Sequence, residues 1–131
     1  MQRFLLLASA TNGFLGVALG AFGAHGLKTR LADLPDVARR LGWWDTASHY
    51  HLVHAVALVG LALAVDHLPR AWVGRAGVAM LVGIALFSGS LYAMTLTGVT
   101  ALGAVTPFGG LAFLLGWLAL GIGALRAPSR R

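Results

Sequence analysis

Residues 43–65 read WWDTASHYHLVHAVALVGLALAV, with His49, His51 and His54 placed where a polar segment turns apolar. Apart from His54, everything from Leu52 to Val65 is apolar. That run alone is too short to cross a bilayer, which takes roughly 20 mainly apolar residues. Counting back to Asp45 gives a helix of spanning length whose first two turns are polar. Asp45–Val65 is therefore expected to cross the membrane and to carry its imidazoles into the hydrocarbon.

Three other segments have the same character. Phe4–Ala24 and Ala76–Leu96 contain no charge, and Pro107–Leu125 is opened by Thr106-Pro107, which reads as an N-cap followed by proline in the first turn. The residues Ala21–Ala24 after an apolar run resemble a signal-peptide cleavage site. The run exceeds the roughly 7–15 residues of a signal core, and three more spans follow, so a retained helix is expected.

The composition agrees with a lipid environment: 58% of the 131 residues are hydrophobic, 11% are charged, and the mean hydropathy is +0.79. So small a soluble domain has too much surface for its volume to hide that much apolar area. Residues 1–131 are read as a single membrane domain. There is no cysteine, hence no disulfide framework, thiolate metal site or thiol nucleophile.

The net charge of +6 comes from short basic segments between the apolar runs and at the C-terminus, not from one broad basic face. Nucleic acid is therefore not an expected partner, whereas anionic lipid headgroups are. Four spans place both termini on one side. That side holds Arg3, Arg70, Arg75, Arg126, Arg130 and Arg131, and the other holds Lys28, Arg30, Arg39 and Arg40. The excess predicts that both termini are cytoplasmic.

Between the first two spans, Leu31, Leu34, Ala38, Leu41 and Trp44 recur at helical steps, and Asp33 stands before Leu34-Pro35 as a possible cap. Residues 28–43 are accordingly expected to form a short amphipathic helix on the membrane surface, with Trp43 and Trp44 at headgroup level. The expected fold is an all-α integral membrane protein, a four-transmembrane-helix bundle with this interfacial helix between helices 1 and 2. Helices in lipid associate through close packing at small residues. Gly16 and Gly20 in the first span, and Gly109, Gly116 and Gly123 in the fourth, are the expected packing positions.

Polar groups inside a membrane are costly unless paired. His49 follows Asp45 by one turn, a geometry suited to an ion pair. His25, Tyr50, His54, Ser88, Ser90, Tyr92 and Thr106 are the candidates for a shared polar pocket, and His54 is expected to be buried and bonded across the bundle to a serine or tyrosine. His51 has no clear partner. No metal site or cofactor is expected; His25 and His54 are the residues any such site would use. The four aspartates show no catalytic spacing, and neither a nucleophile elbow nor a phosphate-binding glycine loop is present, so the chain does not read as an enzyme.

Gly20-Ala21-Phe22-Gly23-Ala24-His25-Gly26-Leu27, Tyr50 with His54, Leu86-Phe87-Ser88-Gly89-Ser90-Leu91-Tyr92 and Thr106-Pro107-Phe108-Gly109-Gly110 resemble, in order, the small membrane-protein family labelled domain of unknown function 423. This family includes the YgdD/YwdK-like proteins and, in animals, transmembrane protein 256. The resemblance implies an integral protein of several helices and brings no established activity with it. The family pattern matches His25, Tyr50, His54, Ser88, Ser90, Tyr92, Thr106 and Pro107, whereas His49 and His51 look less like family positions. The expected function is that of a non-enzymatic membrane component, an assembly partner or a binder of lipid-like ligands, in contact with membrane lipids and with other membrane proteins or further copies of itself. The alternative is a proton- or metal-handling protein built on the histidine, tyrosine and serine cluster.

Overall fold

The computed structural model describes residues 1–128, so Arg130 and Arg131, which enter the charge argument, lie outside the described residues. Four helices are long and apolar enough to cross a membrane: α1 (Gln2–Arg30), α2 (Val37–Ala64), α3 (Arg70–Thr97) and a last segment Thr100–Leu125. That last segment divides into a 3₁₀ turn, Thr100–Ala104, and the helix α4, Thr106–Leu125. The described residues contain no strand.

The four-helix architecture is the expected one, but the connection between α1 and α2 corrects the expectation for residues 28–43. No separate helix lies there among the described residues. Lys28–Arg30 completes α1, a short turn follows, and Val37 already opens α2. The reason is the destination of the apolar stripe. Leu31 and Trp44 are buried with Leu27, and Leu34, Val37 and Leu41 pack on them. Side chains that would have faced headgroups close on the end of α1 instead. Pro35 disfavours a helical residue before it and so marks the break. Asp36, not Asp33, precedes the first turn of α2.

At 1.5 Å per residue, the 28 residues of α2 extend about 42 Å, beyond a hydrocarbon layer of about 30 Å. The polar start of α2 therefore stands in the headgroup region. Here Asp36 accepts from Arg40 Nε at 3.0 Å and from Arg39 Nη2 at 2.9 Å, and Arg40 Nη1 donates to Thr95 O at 3.2 Å. The latter bond ties the entry of α2 to the exit of α3. That exit is capped by Gly98 at φ 75°, a left-handed conformation that suits glycine.

α1 packs on α2, and α3 packs on α4. α2 meets α3 as well, so the α2–α3 seam joins the two pairs. Leu5, Leu58, Leu61, Val73, Met80 and Phe113 belong to the main buried cluster. Outside it, Phe14, Leu63, Val78, Phe108 and Leu114 are exposed, an arrangement suited to lipid and not to water.

Glycines let α3 and α4 approach closely. A Cβ at Gly109 would overlap the Phe87 backbone, one at Gly116 would stand 3.0 Å from Met80 Cγ, and one at Gly123 would stand 3.0 Å from Trp72 Cβ. Gly16 touches Leu52 in the same way, at 3.4 Å. Gly20 is the exception: among the described residues, nothing on a neighbouring helix lies within 4 Å of its Cβ position. Two π turns interrupt the regular helices, Gly23–Leu27 in α1 and Ile84–Ser88 in α3.

Candidate functional site

α2 distributes its polar side chains over two neighbouring faces. His54 is 4% exposed and lies against α4. Its Nδ1 is 2.8 Å from Tyr50 O and its Nε2 is 3.1 Å from Trp117 Nε1. A carbonyl only accepts and an indole only donates, so Nδ1 carries the proton and Nε2 is the acceptor. The ring stacks on Phe113 with centroids 3.5 Å apart. These groups form the floor and wall of a cleft of about 400 Å³, lined by Tyr50, His54, Phe87, Gly110, Phe113, Leu114 and Trp117. Gly110 adds no side chain to fill it. Leu114 and Tyr50, 68% and 41% exposed, stand at its lipid-facing mouth.

The neighbouring face of α2 carries His51, also 4% exposed. Its Nε2 lies 3.2 Å from Asn12 Oδ1 on α1, and Asn12 Nδ2 donates to Ala8 O at 2.8 Å. Its Nδ1 lies 3.4 Å from the Tyr92 hydroxyl on α3. The amide orientation makes His51 Nε2–H the donor to Asn12, which leaves Nδ1 to accept from Tyr92. Three helices are thereby joined through one imidazole. Two further bonds support α1 on α2: Trp44 Nε1 donates to Leu19 O, and Ser9 Oγ donates to Ala55 O. A Cβ at Gly23 would overlap the Trp44 indole, so the glycine of the first family motif is the socket for this tryptophan.

The expected single pocket is thus divided. Tyr50 and His54 share the α2–α4 cleft, whereas Tyr92 belongs with His51. Ser90 Oγ and Thr106 Oγ1 pair at 2.7 Å between α3 and α4. Thr106 is the first residue of α4 and not its N-cap, and it makes no capping bond, because its hydroxyl faces Ser90. Among the described residues, Ser88 Oγ is buried without a hydrogen-bond partner. His25 corrects the expectation: it is exposed on the π turn, whose inward residues are Gly23 and Leu27. Asp45 and His49 form no ion pair; both are exposed along a groove they share with Gly16 and Gly20. Among the described residues, no three histidines or acidic groups converge as a metal site would need.

Sequence reasoning missed Asn12 and Trp117. Asn12 is the chain's one asparagine, and a side-chain amide within an apolar span signals a partner. An indole N–H in lipid signals one as well, although tryptophan is counted among the hydrophobic residues of the composition.

The family described as "Protein of unknown function (DUF423)" matches residues 19–110. The chain belongs to this family. The DUF423 match contains Tyr50, His51, His54 and the Ser90–Thr106 pair, and ends before Phe113 and Trp117. Similar proteins extend the likeness over nearly the full length. UPF0382 membrane protein YwdK of Bacillus subtilis (strain 168) is 42% identical over 127 residues, covering 96% of this chain and 98% of its own. UPF0382 inner membrane protein YgdD of Escherichia coli (strain K12) is 40% identical over 125 residues, covering 95% and 92%. A UPF0382 membrane protein of Staphylococcus epidermidis (strain ATCC 12228 / FDA PCI 1200) is 40% identical over 128 residues, covering 96% and 98%. No solved structure matches. With its four apolar helices, this DUF423 member is an all-helical membrane protein of uncharacterised activity.

Proposed function

We propose that this protein is a non-enzymatic membrane component that binds a lipid-like ligand in the α2–α4 cleft. One observation carries the reading. The cleft opens toward lipid, is walled by the rings of Tyr50, Phe87, Phe113 and Trp117, and has His54 as its floor. Ligand sites are mostly apolar and preformed, with few polar groups to orient the guest. Both His54 nitrogens are already engaged, which stiffens the floor and leaves the Tyr50 hydroxyl, unbonded among the described residues, as the group to meet a ligand's polar end. The proton- or metal-handling alternative has less support, because exposed His25 stands apart from His54 and no donors join His54 as ligands.

A diazirine-bearing fatty acyl lipid added to membranes holding the protein should crosslink at Tyr50, Leu114 or Trp117. Gly110→Phe, which fills the cleft, should abolish that labelling while leaving the melting temperature in detergent close to the parent's. Equal labelling of the filled variant would overturn the proposal.

The proposed location is the bacterial inner membrane, with both termini in the cytoplasm. Support comes from the printed name of the Escherichia coli relative and from the arginine excess on the terminal side. Because the chain has no cysteine, single cysteines at positions 2 and 127 report sidedness cleanly. Labelling of either by an impermeant maleimide in intact cells would reverse the orientation.

A further inference from the structure

We propose that the outer face of the α3–α4 pair is a binding site for one anionic diacyl phospholipid, with its phosphate at Arg75 and Arg126. The site is separate from the α2–α4 cleft and does not depend on the function proposed for it.

Trp72 stands in the first turn of α3, at the end where the chain enters the membrane. The guanidinium carbons of Arg75 and Arg126 lie 4.6 Å and 5.0 Å from its ring centroid. Two like charges are thus gathered around one indole, and among the described residues neither has a carboxylate partner. The nearby Asp66 is directed to a third arginine, Arg70, at 3.6 Å. Three guanidinium groups against one carboxylate leave this end positive. A guanidinium over an aromatic face keeps its in-plane N–H donors available, and these suit the oxygens of a phosphate.

Two apolar grooves run from this cluster into the hydrocarbon. One, of about 570 Å³, passes along Gly74, Val78, Val82 and Leu115, and has Arg70 and Arg75 at its mouth. The other, of about 310 Å³, passes along Trp72, Leu118 and Ile122, and also begins at Arg75. Ala79 and Leu115 line both, so they form the ridge between them. From Arg75 to Val82 the first groove follows α3 for about 10 Å at the helical rise. A single cationic mouth feeding two diverging apolar tracks matches a headgroup with two acyl chains. The small residues Gly74 and Ala79 supply the depth, and the charge selects an anionic headgroup over a zwitterionic one.

The test uses the full chain in mild detergent, with native mass spectrometry after adding palmitoyl-oleoyl phosphatidylglycerol or phosphatidylcholine with the same chains. One phosphatidylglycerol per protein should be retained about tenfold more strongly than phosphatidylcholine. Arg75→Gln with Arg126→Gln should remove the preference, and Arg39→Gln at the opposite membrane face should leave it intact. All three side chains are largely exposed or at the surface, so folding should survive. Lyso-phosphatidylglycerol, which fills one groove, should bind about tenfold more weakly than the diacyl lipid. Equal retention of the two headgroups, an unchanged double variant, or displacement of the lipid by soluble glycerol phosphate would each overturn the proposal.

Discussion

Trp117 on α4 donates its indole N–H to the bare Nε2 of His54 on α2, across 3.1 Å. The bond joins the two halves of the molecule where α2 and α4 otherwise meet through aromatic faces. It also fixes the tautomer of a histidine placed within an apolar span.

Trp117→Phe should therefore destabilise the fold by about 1 kcal/mol, the scale of a side-chain hydrogen bond between membrane helices. His54→Leu should cost a similar amount, and the double variant less than the sum, because both changes break the same bond. Unfolding in mixed detergent micelles measures all three, and strict additivity would mean that the pair is not coupled. Nitrogen NMR of labelled histidine should show His54 protonated at Nδ1 only.

Asn12→Leu leaves the buried His51 Nε2–H without its acceptor and should cost about 1–2 kcal/mol. Tyr92→Phe removes a longer contact, 3.4 Å, and should cost about 0.5 kcal/mol. The order of the two midpoints in the same unfolding assay checks the geometry, and a larger loss for the tyrosine variant would contradict it.

Gly109→Ala should lower stability by about 1–3 kcal/mol, because its methyl would meet the Phe87 backbone, which cannot swing aside. Gly20→Ala enters open space and should be neutral or stabilising by up to about 1 kcal/mol, as expected for alanine in a helix. Thermal melts of the two variants should move apart.

Asp36 gives a pH prediction. Hydrogen bonds from Arg39 and then Arg40 hold its pKa below the ordinary 3.8. The folded state thus binds this proton less readily than the unfolded chain. The stabilisation is fully present above the ordinary carboxylate value and is lost as the pH falls through the depressed one. Asp36→Asn should remove this contribution, so its melting temperature should fall less steeply than the parent's below about pH 4. Parallel acid limbs would show that the pairing does not affect stability.

The spans were legible because a hydrocarbon solvent imposes a coarse demand, twenty or so apolar residues at a time, that composition alone meets. Their ends were not. The periodic stripe from Leu31 to Trp44 is equally suited to a headgroup surface and to the flank of α1, and periodicity does not name the partner. The cost of an unpaired imidazole in lipid predicts the burial of His54 but not which donor meets it, and here the donor is an indole N–H on a side chain counted as apolar. The partner of His51, Asn12, lies in another helix, and spacing within α2 does not point to it. Membrane depth groups His25 with the other polar residues, but depth does not register that the π turn directs Gly23 and Leu27 inward and leaves His25 outside.

The π turn Ile84–Ser88 holds a spare residue within α3. Deleting it would let the wide turn close to an ordinary α-helical one and keep Thr95 near Arg40 and Tyr92 near His51. A deletion in a regular turn of α3 would instead rotate everything beyond it by about 100° and carry both away. The hydropathy profile would scarcely register the loss. Chain length is therefore specific information in its own right: the regular turns of α3 tolerate many exchanges of one apolar residue for another but not a shift in their count, and the π turn is where a shift of one can be absorbed.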